Sequence, residues 1–205
     1  LPFVAVEQIT PASPFGPTLL LRDDFAPPRI DLVVEAADGL WRMGYGEGAY
    51  EIRVDAPGNL AWSTLGMVDL DHYRLEISLI LDHPGGEENQ ILGYGGLLAR
   101  YNNPQSFYLF SVDGQGRYQV QLQRQEVWQT IQPWQTHPNL RPAGRENLLT
   151  LEDDGATLRF YANGQLLHTV ETPLLPSGDA ALAGGTRSQG SILARFDWLA
   201  IYGLE

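Results

Sequence analysis

Apolar and polar residues alternate with a period of two over most of the chain. Tyr73, Leu75, Ile77, Leu79 and Leu81 interleave with Arg74, Glu76, Ser78, Ile80 and Asp82, which predicts a strand with one buried face. Gly95 to Tyr101 follows the same logic with small residues at its start. Phe107 to Val112 is apolar on both faces at first, as expected of a central strand. Asp113-Gly114-Gln115-Gly116 then turns the chain into Arg117 to Gln123, where Tyr118, Val120 and Leu122 point one way and Gln119, Gln121 and Gln123 the other. Asp154-Gly155 and Asn163-Gly164 separate three further runs, Asn147 to Leu151, Thr157 to Tyr161 and Gln165 to Val170. Such dipeptides between alternating runs mark hairpins, because a type I′ turn needs positive φ at both central residues. Ala180 to Gly184 and Ser191 to Tyr202 read as closing strands. No stretch keeps a 3.6-residue period beyond about two turns, so the expected class is all-β, an antiparallel two-sheet β-sandwich.

Composition narrows the function. The 205 residues carry 25 acidic side chains against 13 basic ones, all of them arginine, for a formal charge of −12. That balance argues against a nucleic-acid or anionic-membrane partner, which needs a basic patch to displace counterions. No lysine means no Schiff base and no P-loop lysine, and no cysteine means no thiol chemistry. Residues 1–18, punctuated by Pro2, Pro11, Pro14 and Pro17, read as a linker or arm left after removal of an N-terminal segment, which points to an extracytoplasmic domain over residues 19–205. No apolar run approaches the ~20 residues that would span a bilayer.

The order of several short segments carries a resemblance. Asp23-Asp24-Phe25, Trp41, Tyr50, Gly96-Leu97-Leu98-Ala99-Arg100-Tyr101, Phe107-Tyr108-Leu109-Phe110, Trp128, Glu146-Asn147-Leu148, Phe160-Tyr161-Ala162-Asn163-Gly164 and Phe196-Asp197-Trp198-Leu199 together resemble the concanavalin A-like lectin/glucanase superfamily, in its laminin G-like and 3-keto-disaccharide hydrolase-like bacterial branch. The resemblance runs from about Leu19 to Tyr202. It implies a jelly roll with first and last strands adjacent and one concave sheet whose face and rim loops take oligosaccharide. Fold alone does not assign function.

The chemistry that would make such a domain a hydrolase is sparse. Glycoside hydrolysis needs two carboxylates roughly 5 to 9 Å apart, and the superfamily's retaining glucanases carry a Glu-x-Asp-x-(x)-Glu run that has no counterpart here. The strand acid Glu51 pairs at i+4 with Asp55, which reads as the start of a turn, and Asp69 with Asp71 at a strand entry read more simply as turn and solubility residues. His72, His83, His137 and His168 are scattered over turns and strand ends, and no serine sits in a Gly-x-Ser-x-Gly elbow. Structural calcium is the one cofactor expected, where first and last strands meet, with Asp24 and Asp197 as candidate ligands set against the plainer role of capping backbone.

A glycan or other cell-surface polymer is the expected partner. Glutamine donates and accepts hydrogen bonds to sugar hydroxyls, and an indole stacks on a pyranose face. Gln119 and Gln121 share a strand face with Arg117 in line, and Arg74, Glu76 and Arg100 are expected on the same sheet surface, with Tyr108 or Trp134 as the stacking aromatic. Trp128 reads as core or hairpin packing, and Trp134 is open between the two roles. The leading expectation is a non-catalytic binding module. Its rivals are a carbohydrate-active enzyme of the 3-keto-glycoside hydrolase kind, drawing on Glu76, Arg74 and a histidine, and a structural domain without a small ligand.

Overall fold

A computed structural model describes residues 17–67, 72–83, 92–171 and 173–204. The arm expected at the N-terminus lies outside these residues apart from Pro17 and Thr18, as do Asp69 and Asp71. The described residues form fifteen strands: β1 (Thr18–Asp23), β2 (Glu35–Ala37), β3 (Trp41–Gly46), β4 (Ala49–Val54), β5 (Leu60–Thr64), β6 (Tyr73–Asp82), β7 (Gly93–Asn103), β8 (Ser106–Asp113), β9 (Arg117–Arg124), β10 (Val127–Thr136), β11 (Asn147–Asp153), β12 (Thr157–Ala162), β13 (Gln165–Glu171), β14 (Asp179–Thr186) and β15 (Ile192–Gly203). They pair antiparallel into a nine-stranded sheet, β13-β12-β11-β6-β15-β4-β3-β2 with β1 beside β15, and a six-stranded sheet, β10-β9-β8-β7-β14-β5. Among the described residues no helix is long and apolar enough to cross a membrane.

Period-two alternation decides which side chains fill the space between the sheets. In β6, Tyr73, Leu75, Ile77, Leu79 and Leu81 are buried, and in β9 Tyr118, Val120 and Leu122 are, as the sequence predicts. Phe110 of β8 stacks on Phe160 of β12 with ring centroids 4.9 Å apart, tying one sheet to the other. Such a pair adds about 0.5–1.5 kcal/mol beyond the area it buries.

The first and last strands are adjacent, as the resemblance implies. One edge of β15 runs along β6 for nearly its full length. Its other edge is shared: Ile192 to Phe196 pair with β4, and Leu199 to Gly203 pair with β1. A bulge between Phe196 and Trp198 places Asp197 at the changeover.

The turns differ in detail from the expected type I′ set. Asn163 and Gly164 have positive φ, at 50° and 79°, as type I′ requires. In the β11–β12 turn only Gly155 does, because Asp154 holds the loop through its side chain, accepting from the Ala156 and Thr157 N–H groups at 3.0 and 2.7 Å. Between β9 and β10 the positive φ pair is Gln125 and Glu126, at 50° and 68°. The Gln105 side chain secures that turn by donating to Glu126 Oε1 at 2.8 Å.

Arg100 and Tyr108 depart from their expected place on a binding surface. Strict alternation from Leu98 would put Arg100 on the outer face of β7. The register shifts between Ala99 and Asn103, and Arg100 adopts φ 50°. The bulge turns the guanidinium into the gap between the sheets, where Nε and Nη2 donate to Asp153 of β11 at 2.8 and 2.7 Å. Two carbonyls, Leu175 and Gly155, take further bonds at 2.8 Å each. The ion pair is almost dry, with side-chain exposures of 5% and 2%. Burial works against the guanidinium charge, but Asp153 outweighs it and raises the Arg100 pKa. Tyr108 is likewise an inner-face residue of β8, with its hydroxyl accepting from Leu174 N–H at 2.7 Å. Breaking a buried pair strands one charge without its partner, at roughly 3–5 kcal/mol. Arg100→Met is therefore expected to lower the unfolding free energy by about that much in urea titration; a loss below about 1 kcal/mol would show the pair to be dispensable.

Candidate functional site

The outer face of the six-stranded sheet is where apolar residues gather outside the main core. Pairing aligns Trp62 of β5, Ala183 of β14, Gly96 of β7, Ser111 of β8 and Gln119 of β9 in one row across the strands. The next row holds Thr64, Ala181, Leu98, Leu109, Gln121 and Thr130. Leu98, Phe107, Leu109, Ala181 and Ala183 are buried on this side, with Leu60, Trp62, Tyr94 and Tyr101 packed partly exposed around them. Antiparallel sheets ordinarily turn a polar face to water. Here the β5-to-β8 part of the outer face is apolar and the β9 part is glutamine.

Side-chain size shapes the surface. Gly96, Ser111, Ala183 and Gly185 form a floor of small, buried residues beneath larger rings. At one end along the strand direction, Tyr101 stacks on Phe107 at 6.1 Å, Trp62 tilts against both at 6.0 Å, and Trp128 meets Phe107 edge-on at 5.6 Å. This end is an aromatic ridge reaching from the edge strand β5 to the edge strand β10. At the other end stand Tyr94 and Trp134, with centroids 6.3 Å apart. From Phe107 to Asp113 of β8, six residues at the usual strand rise separate the two ends by about 20 Å. Gln119 and Gln121, half-buried, lie between them.

The Trp134 end is charged. Asp113 Oδ1 accepts from the Gln115 and Arg117 N–H groups at 3.0 and 3.1 Å, which holds the β8–β9 turn. Its Oδ2 accepts from Arg117 Nη2 at 2.6 Å and from Arg187 Nη2 at 3.1 Å. The Arg187 guanidinium lies 4.0 Å from the Trp134 ring centroid and that of Arg117 5.6 Å. Burial pushes the Tyr94 hydroxyl up to about 12 and pulls the Arg187 pKa down.

Carboxylates are scarce on this sheet. Its six strands contain two, Asp113 and Asp179. Asp179 accepts from the N–H groups of Gly66, Met67 and Ala180 at 2.8 to 2.9 Å, and Asp113 is occupied as described. A hydrolytic pair facing across a scissile bond is therefore not assembled from these strands.

Of the residues singled out in the sequence, Arg117, Gln119, Gln121 and Trp134 come together on this face. Arg74 and Glu76 do not: they lie on the outer face of the nine-stranded sheet, where Arg74 Nε donates to Glu76 at 2.9 Å and Nη1 to Glu152 at 3.3 Å. Tyr161 caps the same network by donating to Glu152 at 2.7 Å. The expectation of one shared surface fails because β6 and β9 belong to different sheets. Trp128, expected in packing, is 46% exposed. Trp62, Tyr94, Tyr101 and Arg187 carry the surface without having been singled out.

Asp24 and Asp197 lie near the β1–β15 junction. Asp24 is exposed and accepts from Ala26 N–H at 3.4 Å, and Asp197 accepts from Arg195 Nε at 2.7 Å. The buried neighbour Asp23 instead holds the following loop, accepting from the N–H groups of Phe25, Arg29 and Ile30. Calcium takes six to eight oxygens. Among the described residues no group of three or more His, Asp or Glu that could hold a metal ion is assembled, so this donor set is a poor fit for the expected cation.

Comparison with known proteins places the architecture. No protein-family model and no curated protein sequence matches the chain. Solved structures do: an endo-acting O-glycanase from the human gut microbiota, 12% identical over 92% of this chain and 100% of that one, TM-score 0.60; the catalytic domain of an endo-1,3-β-glucanase from Thermotoga petrophila, 11% identical over 91% and 98%, TM-score 0.58; and a β-glucanase from Bacillus licheniformis, 10% identical over 92% and 99%, TM-score 0.54. The fold is the concanavalin A-like jelly roll.

The floor is sensitive to single methyl groups. A Cβ on Gly185 would meet the Tyr94 ring at 2.5 Å, and the ring can tilt away. Gly185→Ala is expected to change the near-ultraviolet circular dichroism of the Tyr94–Trp134 end while the thermal midpoint moves by no more than a few degrees. A Cβ on Gly96 would instead meet the Phe110 carbonyl oxygen, which is backbone, so Gly96→Ala is expected to unfold the domain at far lower temperature. Equal thermal midpoints for the two variants would contradict this picture.

Proposed function

We propose that the chain is a non-catalytic, extracytoplasmic carbohydrate-binding module that takes a glycan on the outer face of the six-stranded sheet. The observation that carries the reading is the pairing of accessible aromatic rings with uncharged hydrogen-bonding side chains on one sheet face, where neither strand carboxylate is left free. Trp62 and Trp128 offer indole surface, and Gln119 and Gln121 offer both donors and acceptors beside it. Binding sugar would need no proton transfer, only stacking and hydrogen bonds. The solved structures of the same fold act on glycans, which supports a carbohydrate as the ligand class.

The enzymatic reading has less behind it. Glu76 is already bonded to Arg74 on the opposite sheet, and Tyr202 donates to its other oxygen at 3.4 Å.

Affinity electrophoresis against a panel of soluble plant and microbial polysaccharides tests the proposal. At least one polymer is expected to retard the protein. Trp62→Ala and Gln121→Ala are each expected to weaken that retention about tenfold, the effect of losing ~1.4 kcal/mol at a binding hot spot. Retention unaltered in both variants would place binding elsewhere. Failure of every polymer to retard the protein would favour a structural domain, and release of reducing ends from a retained polymer would favour an enzyme.

A further inference from the structure

The cluster around Asp113 holds more positive charge than its structural role requires. One carboxylate faces two guanidiniums, and a single arginine already satisfies it: Arg117 meets Oδ2 through both Nε and Nη2, at 2.8 and 2.6 Å. Arg187 arrives from the end of β14, 74 residues away in sequence, to share the same oxygen at a longer 3.1 Å. Among the described residues, two positive charges against one negative leave a net charge of about +1 at this spot. The chain as a whole carries −12, with 25 acidic residues to choose partners from.

The surplus cation is also partly dry. The Arg187 side chain is 26% exposed, and its Nε is buried without a hydrogen-bond partner among the described residues. Burial lowers its pKa, and the neighbouring Arg117 charge lowers it further, so Asp113 offsets the cost only in part. A guanidinium in this state gains from any added anion, because leaving a buried charged donor unmet costs more than an ordinary hydrogen bond returns.

Its position is held in advance. Arg187 N–H donates to Leu92 O at 2.7 Å, and its carbonyl accepts from Gly58 N–H at 2.5 Å. The guanidinium lies against Trp134, and Tyr94 is wedged beside Trp134 by the absence of a side chain at Gly185. A fork of donors fixed beside a stacking indole is the arrangement that reads a planar or tetrahedral anion on a ring.

We infer that the Arg187–Arg117–Trp134 end of the face recognises an anionic substituent on the glycan, the carboxylate of a uronate or a sulfate ester, so that the module selects acidic over neutral polysaccharides. The inference rests on the glycan-binding reading above and adds the class of ligand. The overall negative charge opposes a polyanion at long range, so such a ligand must be held by contact at this end of the face.

Two matched pairs of polymers test it by affinity electrophoresis: polygalacturonate against its fully methyl-esterified form, and λ-carrageenan against the desulfated galactan. Retention of one charged polymer at least tenfold stronger than its neutral counterpart is expected, and which pair shows the difference identifies the carboxylate or the sulfate. Arg187→Gln is expected to remove most of that preference, while Arg53→Gln, on the other sheet and paired with Asp55, leaves it unchanged. Should Arg187→Gln fail to fold by circular dichroism, Arg117→Gln reads the same effect. Equal retention of the charged and neutral members overturns the charge inference and leaves glycan binding standing. A charged preference that persists in both arginine variants also overturns it. Retention of none of the four polymers overturns the charge inference, and the wider polysaccharide panel then decides the glycan-binding reading.

Discussion

The bulge at Arg100 sets what the two faces of the six-stranded sheet present. Strict alternation would carry Leu98, Arg100 and Asn102 along the outer face. With φ 50° at Arg100, the strand takes one extra residue, Arg100 falls inward and Tyr101 comes out. The inward turn lets the guanidinium reach Asp153 across the sandwich, and the outward one lets Tyr101 reach Trp62 and Phe107. One departure from period two thus supplies both the polar tie between the sheets and a ring of the aromatic ridge. A left-handed arginine costs of order 1–3 kcal/mol, and the four hydrogen bonds its side chain makes in a dry site are what sustain it.

A second constraint follows from burying apolar residues on both sides of one sheet. Leu98, Leu109, Ala181 and Ala183 gain nothing from the main core, because they point away from it. Among the described residues Leu60, Trp62, Tyr94 and Tyr101 pack against them, so the aromatic ridge protects the floor as well as offering surface. The same logic explains the glycines. Small residues fill the floor beneath the rings, and the Tyr94 ring lies where a Cβ on residue 185 would otherwise stand. Stability and recognition therefore draw on the same residues, and neither can be altered freely without the other.

The sandwich was legible because alternation and turn chemistry are local. The strand faces of β6 and β9 follow from period two alone. Half of the candidate face was legible: Arg117, Gln119, Gln121 and Trp134 carry its polar and charged part, while Trp62, Tyr94, Tyr101 and Arg187 join them only through long-range pairing. Arg100 could not have been placed, since no pattern marks an arginine in the left-handed region. Trp128 packs edge-on against Phe107, as expected of a hairpin residue, and is also 46% exposed, because register puts it opposite Gln123 on the outward side. Trp62 did leave a signal, standing between the small buried residues Ala61 and Ser63. Arg74 and Glu76 were assigned to the wrong surface for a different reason. Alternation tells inside from outside, but only long-range pairing tells one sheet from another.

The opposition between a chain at −12 and a face with a local positive excess bears on how a ligand would be chosen. Charges beyond about 8–10 Å are largely screened at physiological ionic strength, so the acidic turns elsewhere act on encounter more than on the bound state. They repel an approaching polyanion and give a neutral polymer no obstacle. Selection then has to reside in contact, in the geometry of Arg187 and Arg117 about Asp113 and in the rings beside them. A pre-formed donor fork suits that task better than a diffuse basic patch, because it rewards an anion held at the correct point on a ring and offers nothing to charge density alone. The shared carboxylate has a part in this as well: Asp113 Oδ2 holds both guanidiniums beside Trp134 and offsets their mutual repulsion.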